Sequence, residues 1–479
     1  MTDRLHRSTV PEGVAAPVDP VEVGVVHLGI GAFHRAHQAV YTDRAMARSG
    51  DLRWGILGVT QRSAGVRDQL RPQGGVYSVL TAGRDGTSLD LVGAVVDVAY
   101  PADESGRVLA ALAARTTRVV TLTITEKGYA RRPDGGLDVE RVRADLDVLA
   151  AEEAAGAAGA VVPARSAIGL LVRGLAARRR VASGGITVLS CDNLVDNGHV
   201  LERLVREAVD AALPGAAGDA LRAYLDEAVT FPCSMVDRIV PATTPAQRDA
   251  VERALGVRDE GLVVGEPFTQ WVIEDRFAGP RPAWELAGAT FTSDVAPYEQ
   301  AKLRLLNGTH SLVAYAGALA GHATIAEAMA DPAIAAQARE YLFEDALPTL
   351  TAPDGTDLRE YGEEILRRFA NPHTGHTTLQ VAMDGTQKIP FRWGGVLGDA
   401  LAAGRVPRGV AAALAAWAEF VRQRVLAGEV VDDPRAAELR ETVLAVPGGD
   451  RSVVVQRLLR LPGLLADGAA DAIGETVLG

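Results

Sequence analysis

Residues 21–37 read VEVGVVHLGIGAFHRAH, and the pattern of this stretch decides the fold class. An apolar run ends at Leu28, two glycines follow at Gly29 and Gly31, and helix-compatible residues come next. Strand, tight glycine turn and helix start form the entry to a dinucleotide-binding βα unit. There the backbone closes on a pyrophosphate and the helix N-terminus favours negative charge. Gly29, Ile30, Gly31, Ala32, Phe33 and His34 are therefore the candidate cofactor contacts. The third glycine of GxGxxG is absent, with His34 in its place. A plain tight turn would use the same two glycines. The strand before them and their place near the N-terminus favour the cofactor.

Working outward, WGILGV (54–59), YSVLTA (77–82), RVVTLTIT (118–125) and ITVLSCDN (186–193) read as further strands, with helical stretches such as 164–180 between them. Strands alternating with helices predict a parallel α/β sheet. LDLVGAVVDVAY (89–100) reads as one more strand and hints at antiparallel pairing. Beyond about residue 200 helical patterns dominate, interrupted by the strand-like FTQWVIED (268–275), which can return to the first sheet, and GATFTSD (288–294). The expectation is a Rossmann-type α/β domain over residues 1–222 and a mostly α-helical substrate and catalytic domain over 223–479. The Gly/Ala-rich stretch at 154–160 is expected to be an exposed turn.

At 479 residues the chain is too long for a single core. A net charge of −12 argues against nucleic acid or an anionic membrane as partner. The first twenty residues lack the apolar core of a secretory signal, and no run approaches the roughly 18 apolar residues of a membrane span. Cytoplasm is the expected compartment, and the two cysteines, Cys191 and Cys233, suit its reducing conditions.

Three lysines, Lys127, Lys302 and Lys388, stand against forty-six arginines. Arginine stays protonated in proteins, whereas a buried lysine can give up its proton and act as a base. Lys302 lies in PYEQAKLRLLNGTH (297–310), where helical spacing gathers Glu299, Lys302, Asn307 and His310 within an arc of about 140°. The rest of that helix is apolar nearly all round, which predicts burial. Ideal geometry sets Lys302 and His310 about 12 Å apart along the axis, with room for a ligand between them.

SCDNLVDNG (190–198) follows a strand end, where open α/β sheets bind ligands, so Asn193 and Asn197 are candidates to meet a reacting oxygen. FPCSMVDRIVP (231–241) adds Asp237 and Arg238, a candidate ion pair. The turn after WGILGV offers Arg62 and no acid, which leaves NADP open beside NAD. The pairs His34/His37 and His373/His376 lack the acidic companion of a zinc motif, so no metal is expected. Without zinc, an unprotonated lysine can manage the hydroxyl proton of an alcohol.

Together, GIGAFHRAHQAVYTD, TLTITEKGY, SCDNLVDNG, FPCSMVDRIVPATT, PYEQAKLRLLNGTHS and MDGTQKIP resemble the long-chain, zinc-independent polyol dehydrogenases of the mannitol dehydrogenase family. That family includes mannitol 2-dehydrogenase, fructuronate reductase and arabinitol dehydrogenase. The resemblance implies an NAD-dependent oxidoreductase in which Lys302 is the general acid–base. Asn307 and one of Asn193 or Asn197 would hydrogen-bond the reacting oxygen. His310 would orient the substrate or the lysine, and Glu299 would assist proton exit. Asp237, with Arg238 beside it, and Lys388 would hold substrate hydroxyls or a carboxylate, and Glu126 would lie with the cofactor contacts. The partner implied is a small sugar or polyol, bound by a monomer or small homo-oligomer.

Three departures matter. Cys233 stands where the family pattern has asparagine. Lys127 replaces a glycine of the mannitol-type TEGGY, and Gln380 stands where mannitol-type members carry an arginine. The last two resemble the fructuronate reductase side. Lys127 would then meet a uronate carboxylate, or else the cofactor pyrophosphate or a neighbouring helix end. Mannitol and arabinitol dehydrogenases are the alternatives. A non-catalytic nucleotide-binding sensor would have no need of the Lys302/Asn307/His310 set.

Overall fold

The computed structural model describes residues 3–11, 14–84, 86–156 and 161–478. Among the described residues twelve strands form in chain order: β1 Val23–Leu28, β2 Gly55–Val59, β3 Tyr77–Gly83, β4 Gly86–Val92, β5 Val95–Ala99 and β6 Val119–Leu122. The rest are β7 Ile186–Ser190, β8 Val229–Thr230, β9 Ser234–Asp237, β10 Val263–Gly265, β11 Gln270–Glu274 and β12 Thr290–Thr292. Six of them make the main sheet in the order β5-β2-β1-β6-β7-β8, and every pairing in it is parallel. This is the Rossmann order, with the reversal of winding between β1 and β6. Both faces are covered, which is why β2, β6 and β7 are buried along their whole length.

The run 89–100 is two strands instead of one. Residues up to Val92 pair antiparallel with β3, and residues from Val95 join β2 in the main sheet. The break falls at Gly93, where a Cβ would stand 2.3 Å from the Val18 carbonyl oxygen. Asp43 fixes it by accepting from Gly93 N–H and Ala94 N–H at 2.7 and 2.9 Å.

The chain divides into two compact units between Val295 and Ala296, not at 222/223. Residues 223–295 hold β9, β11 and β12, which form their own three-stranded sheet. Trp271, Ile273 and Trp284 from this stretch join Val25, Ile30, Ala39 and Met46 in one core cluster. This apolar anchoring outweighs the local helical character of 245–255. FTQWVIED supplies β11 of the small sheet and does not enter the main one.

The second unit is helical, with a core that includes Leu305, Leu312, Tyr341, Trp393 and Trp417. Of the Gly/Ala-rich stretch, residues 157–160 lie outside the described residues, and the helix before them, Val139–Ala155, stops at left-handed Gly156. Among the described residues no helix is long and apolar enough to cross a membrane.

Candidate active site

The candidate residues form two constellations, one in each unit. In the first unit they gather at the carboxyl edge of the main sheet. Gly29, directly after β1, has φ +99, and a Cβ there would lie 2.1 Å from Thr123 O. Only glycine fits both demands. At Gly31 a Cβ would meet nothing closer than Gly29 O at 3.8 Å. Gly31 and Ala32 are exposed, so this missing side chain leaves open backbone at the point where a dinucleotide pyrophosphate docks. The turn therefore fits the expected cofactor. The helix it opens, Ala32–Ala36, breaks at His37 and resumes as Gln38–Ser49.

His34, standing in for the third glycine, turns inward and stacks on His27 with ring centroids 3.4 Å apart. His27 bonds Thr121 and Thr123 through its two ring nitrogens, at 2.7 and 2.9 Å. Burial holds His27 down to about 3 and pushes His34 well below the ordinary histidine range. Both are neutral in the fold and free to protonate once unfolded. The unfolded chain then binds more protons below about pH 6.5, so stability is full above that pH and falls as pH drops. Each histidine contributes a loss of about 1.4 kcal/mol per pH unit. Asp43, pushed up to about 6 by burial, works the other way and offsets one of them as pH falls from about 6 to 4. We expect the Tm to fall on acidification from about pH 7 to pH 5. A scanning-calorimetry series with constant or rising Tm would refute this account.

Asp192 ties the ends of β6 and β7 together. Its carboxylate accepts from Ile124 N–H and Thr125 N–H, both at 2.9 Å, and from the Tyr129 hydroxyl at 2.8 Å. Thr125 sits at φ +63, which a β-branched residue rarely adopts. Holding it there presents Glu126 and Lys127, both exposed, at the end of β6. Asp192 lies inside a motif quoted above yet was not singled out; an acid two residues past an apolar strand is the signal that marks it.

Asn193 and Asn197 separate cleanly. Asn197 is fully buried, and its amide donates to Asp192 O at 3.1 Å and Ser234 O at 2.7 Å while accepting from Ser234 N–H at 2.9 Å. Both amide hydrogens are engaged, so Asn197 is a lock between two segments. Asn193 has an exposed side chain. Arg238 is likewise internal. It donates to Glu266 O at 3.0 Å, to Ala36 O, and to Thr81 Oγ1 at 3.2 Å, packed over the face of Gly265. With its guanidinium so engaged, Arg238 is not placed as a substrate contact. Asp237 is buried at the end of β9, and Arg62 is exposed just beyond β2.

In the second unit Glu299 lies in a short α-helix, Ala296–Ala301, and Lys302 begins a π-helical turn, Lys302–Asn307, before α-helix resumes at Gly308. The wider turn changes the angular phase, so the arc expected for an ideal α-helix does not hold here. Glu299 and Lys302 are buried; Asn307 and His310 are partly buried. The carbonyls loosened by the π-turn find side-chain donors. Tyr341 donates to Arg304 O at 2.7 Å, Arg392 to Asn307 O at 3.2 Å, and Trp393 to Gly308 O at 3.0 Å. Tyr341 and Trp393 lie in further π-turns, Tyr341–Ala346 and Pro390–Gly394. Gly308 must be glycine, because a Cβ would stand 2.0 Å from the Tyr341 hydroxyl.

His310 stacks on Phe369 and lies 5.6 Å from His376, ring to ring. Burial first, then His376, Arg392, Arg368 and Lys388, push its pKa well below the usual range. Its Nε2 has no hydrogen-bond partner among the described residues. Lys388 donates to Met383 O at 2.6 Å, and Gln380 is taken up by a capping box with Thr377.

The mannitol dehydrogenase Rossmann domain matches residues 23–286, and the mannitol dehydrogenase C-terminal domain matches 294–457. A D-mannonate oxidoreductase of Escherichia coli is 39% identical over 466 residues, covering 95% of this chain and 92% of that protein. A mannitol 2-dehydrogenase of Cereibacter sphaeroides is 37% identical over 427 residues, covering 87% and 85%. Among solved structures, mannitol 2-dehydrogenase of Pseudomonas fluorescens, in a ternary complex with NAD and D-mannitol, superposes with a TM-score of 0.80. It is 31% identical, with 99% of this chain and 96% of that one covered. The fold and these likenesses define an oxidoreductase of CH–OH groups, a polyol or aldonate dehydrogenase. The chain belongs to the mannitol dehydrogenase family.

Proposed function

We propose that this enzyme is an NAD-dependent oxidoreductase of the fructuronate reductase type, interconverting an aldonate and its ketouronate. One observation carries the choice of an acidic substrate. Lys127 is exposed at the carboxyl edge of the main sheet, and its ammonium meets no carboxylate among the described residues. The 39% identity to a mannonate oxidoreductase supports the same reading. NAD is proposed from the complex of the Pseudomonas relative and from the open backbone at Gly31.

When bound, the nicotinamide gives or accepts the hydride. The residues of the chain handle the rest. Lys302, buried at the start of the π-turn, takes the proton of the hydroxyl being oxidised. Asn193 and Asn307 donate hydrogen bonds to the oxygen as it gains charge. His310, held neutral, orients the substrate through Nε2. Glu299 passes the proton outward, and Asp237 and Lys388 hold the remaining polar groups of the substrate. Gly29 to His34, Arg62 and Glu126 form the cofactor-binding edge.

A charge-assisted hydrogen bond from Lys127 to a carboxylate is worth roughly 1.5–3 kcal/mol, or one to two decades of affinity. Fructuronate is therefore expected to beat fructose by about tenfold or more in kcat/KM, with Lys127→Met removing most of the margin. NADH and NADPH are compared in the same assay. Equal turnover of the two sugars by the unmodified enzyme would reject the acidic substrate. A variant that only raises the KM for NADH would move Lys127 to the cofactor. Mannitol and arabinitol are the runner-up substrates in the panel. Chelators are expected to leave turnover unchanged, because Lys302 takes the place of a metal in handling the hydroxyl proton. Activity lost on exhaustive chelation and restored by zinc would overturn that assignment.

A further inference from the structure

Three side chains unused by the reaction above stand together at the start of the helix Asn197–Ala212. Asp196 precedes that helix from a left-handed backbone at φ 57, His199 lies three residues on, and Cys233 comes from the residue before β9. Asp196 Oδ1 is 2.5 Å from His199 Nδ1. The Cys233 sulfur is 3.4 Å from Asp196 Oδ1 and 3.7 Å from His199 Nδ1.

A tetrahedral zinc with bonds of about 2.0–2.3 Å sets its ligand atoms about 3.3–3.6 Å apart. Both edges to sulfur lie within about 0.1 Å of that range. The third edge, a hydrogen bond at present, has to open by about 0.9 Å. The frame around the three is stiff. The Asn197 lock bonds Ser234, the residue after Cys233, to the first turn of the helix that carries His199. Cys233 N–H is further fixed by Glu274 at 2.9 Å. Cys233 is buried, whereas Asp196 and His199 are 58% and 57% exposed, so a cation held here keeps a face open to water for its fourth ligand.

Sulfur, imidazole nitrogen and one carboxylate oxygen select zinc, cobalt or cadmium over magnesium or calcium, which want oxygen ligands throughout. The same trio resembles a nucleophile with its base, but a reactive thiol needs a lowered pKa. Burial pushes the Cys233 thiol up to about 12, so it stays protonated unless a metal displaces the proton.

We propose that Asp196, His199 and Cys233 form a binding site for a thiophilic divalent cation, one that the proposed reaction does not require. His199 belongs to neither of the histidine pairs that the sequence offers for a metal.

The test is a titration of chelator-stripped, full-length enzyme with Co²⁺. One equivalent is expected to bind with near-ultraviolet thiolate-to-cobalt absorption, which Zn²⁺ then displaces. Cys233→Ser should abolish that band, and His199→Gln should weaken binding by about tenfold or more. Cys191→Ser should leave the band in place, since Cys191 is buried just after β7 and is not one of the three clustered side chains. Zn²⁺ should raise the Tm of the unmodified enzyme and not that of His199→Gln. No thiolate band in the unmodified enzyme, or an unchanged band in Cys233→Ser, overturns the proposal. If Cys233→Ser fails to fold, the exposed positions decide, because His199→Gln and Asp196→Asn both binding Co²⁺ normally would overturn it equally.

Discussion

Lys302→Ala is expected to lower kcat by about 10²–10⁴-fold, the range a general acid–base commands. Folding and NADH binding should survive, because the cofactor turn at Gly29–Gly31 belongs to the other compact unit. Lys302→Arg should be nearly as inactive, since arginine keeps its proton. That second variant separates chemistry from charge. A structural or point-charge role would be largely restored by arginine, whereas a base would not. Steady-state rates across a pH series, with NADH affinity measured by fluorescence, decide the matter. Near-unmodified turnover in Lys302→Ala would remove the lysine from the mechanism.

Asn193→Ala is expected to cost about 10²–10³-fold in kcat, as loss of one donor to a charged oxygen does elsewhere. Its Tm should not move, because the side chain is exposed. Asn197→Ala should do the reverse. It strands Ser234 N–H in the interior and removes a donor from the carbonyls of Asp192 and Ser234. Each unsatisfied group costs about 1–3 kcal/mol, so the Tm should drop markedly. The pair of variants, read by calorimetry and kinetics together, assigns the donor. A normal Tm with lost kcat in Asn197→Ala, beside a fully active Asn193→Ala, would reverse the assignment.

Much of the first unit could be read in advance because its signals are local. The Val23–Leu28 strand announces itself through a continuous apolar run and the glycine turn after it, and β2, β6 and β7 through apolar runs of the same kind. What escaped was anything set by distant partners. The division of 89–100 between two sheets depends on Val18 and Asp43, which no window around Gly93 contains. The unit boundary at Val295 depends on Trp271 and Trp284 packing against a helix more than two hundred residues earlier. In the segment 297–310 the residue types were legible but the π-turn was not, since its carbonyls are held by Tyr341, Arg392 and Trp393. Asn197 looked equivalent to Asn193 until its three hydrogen bonds were seen, and Arg238 looked available until its acceptors were.

The interlocked π-turns also bear on when the enzyme becomes competent. The three donors that hold the Lys302–Asn307 turn come from 37 and 85 residues further along the chain. An isolated helix relaxes in about a microsecond, whereas contacts of long sequence separation wait on slow loop closure. During refolding the segment can coil early as ordinary α-helix, with its lysine in the wrong phase. It reaches its working register only after residues 341 and 393 have docked. Secondary structure should thus return before turnover does, and the setting of the proposed base is among the last parts of this enzyme to be made.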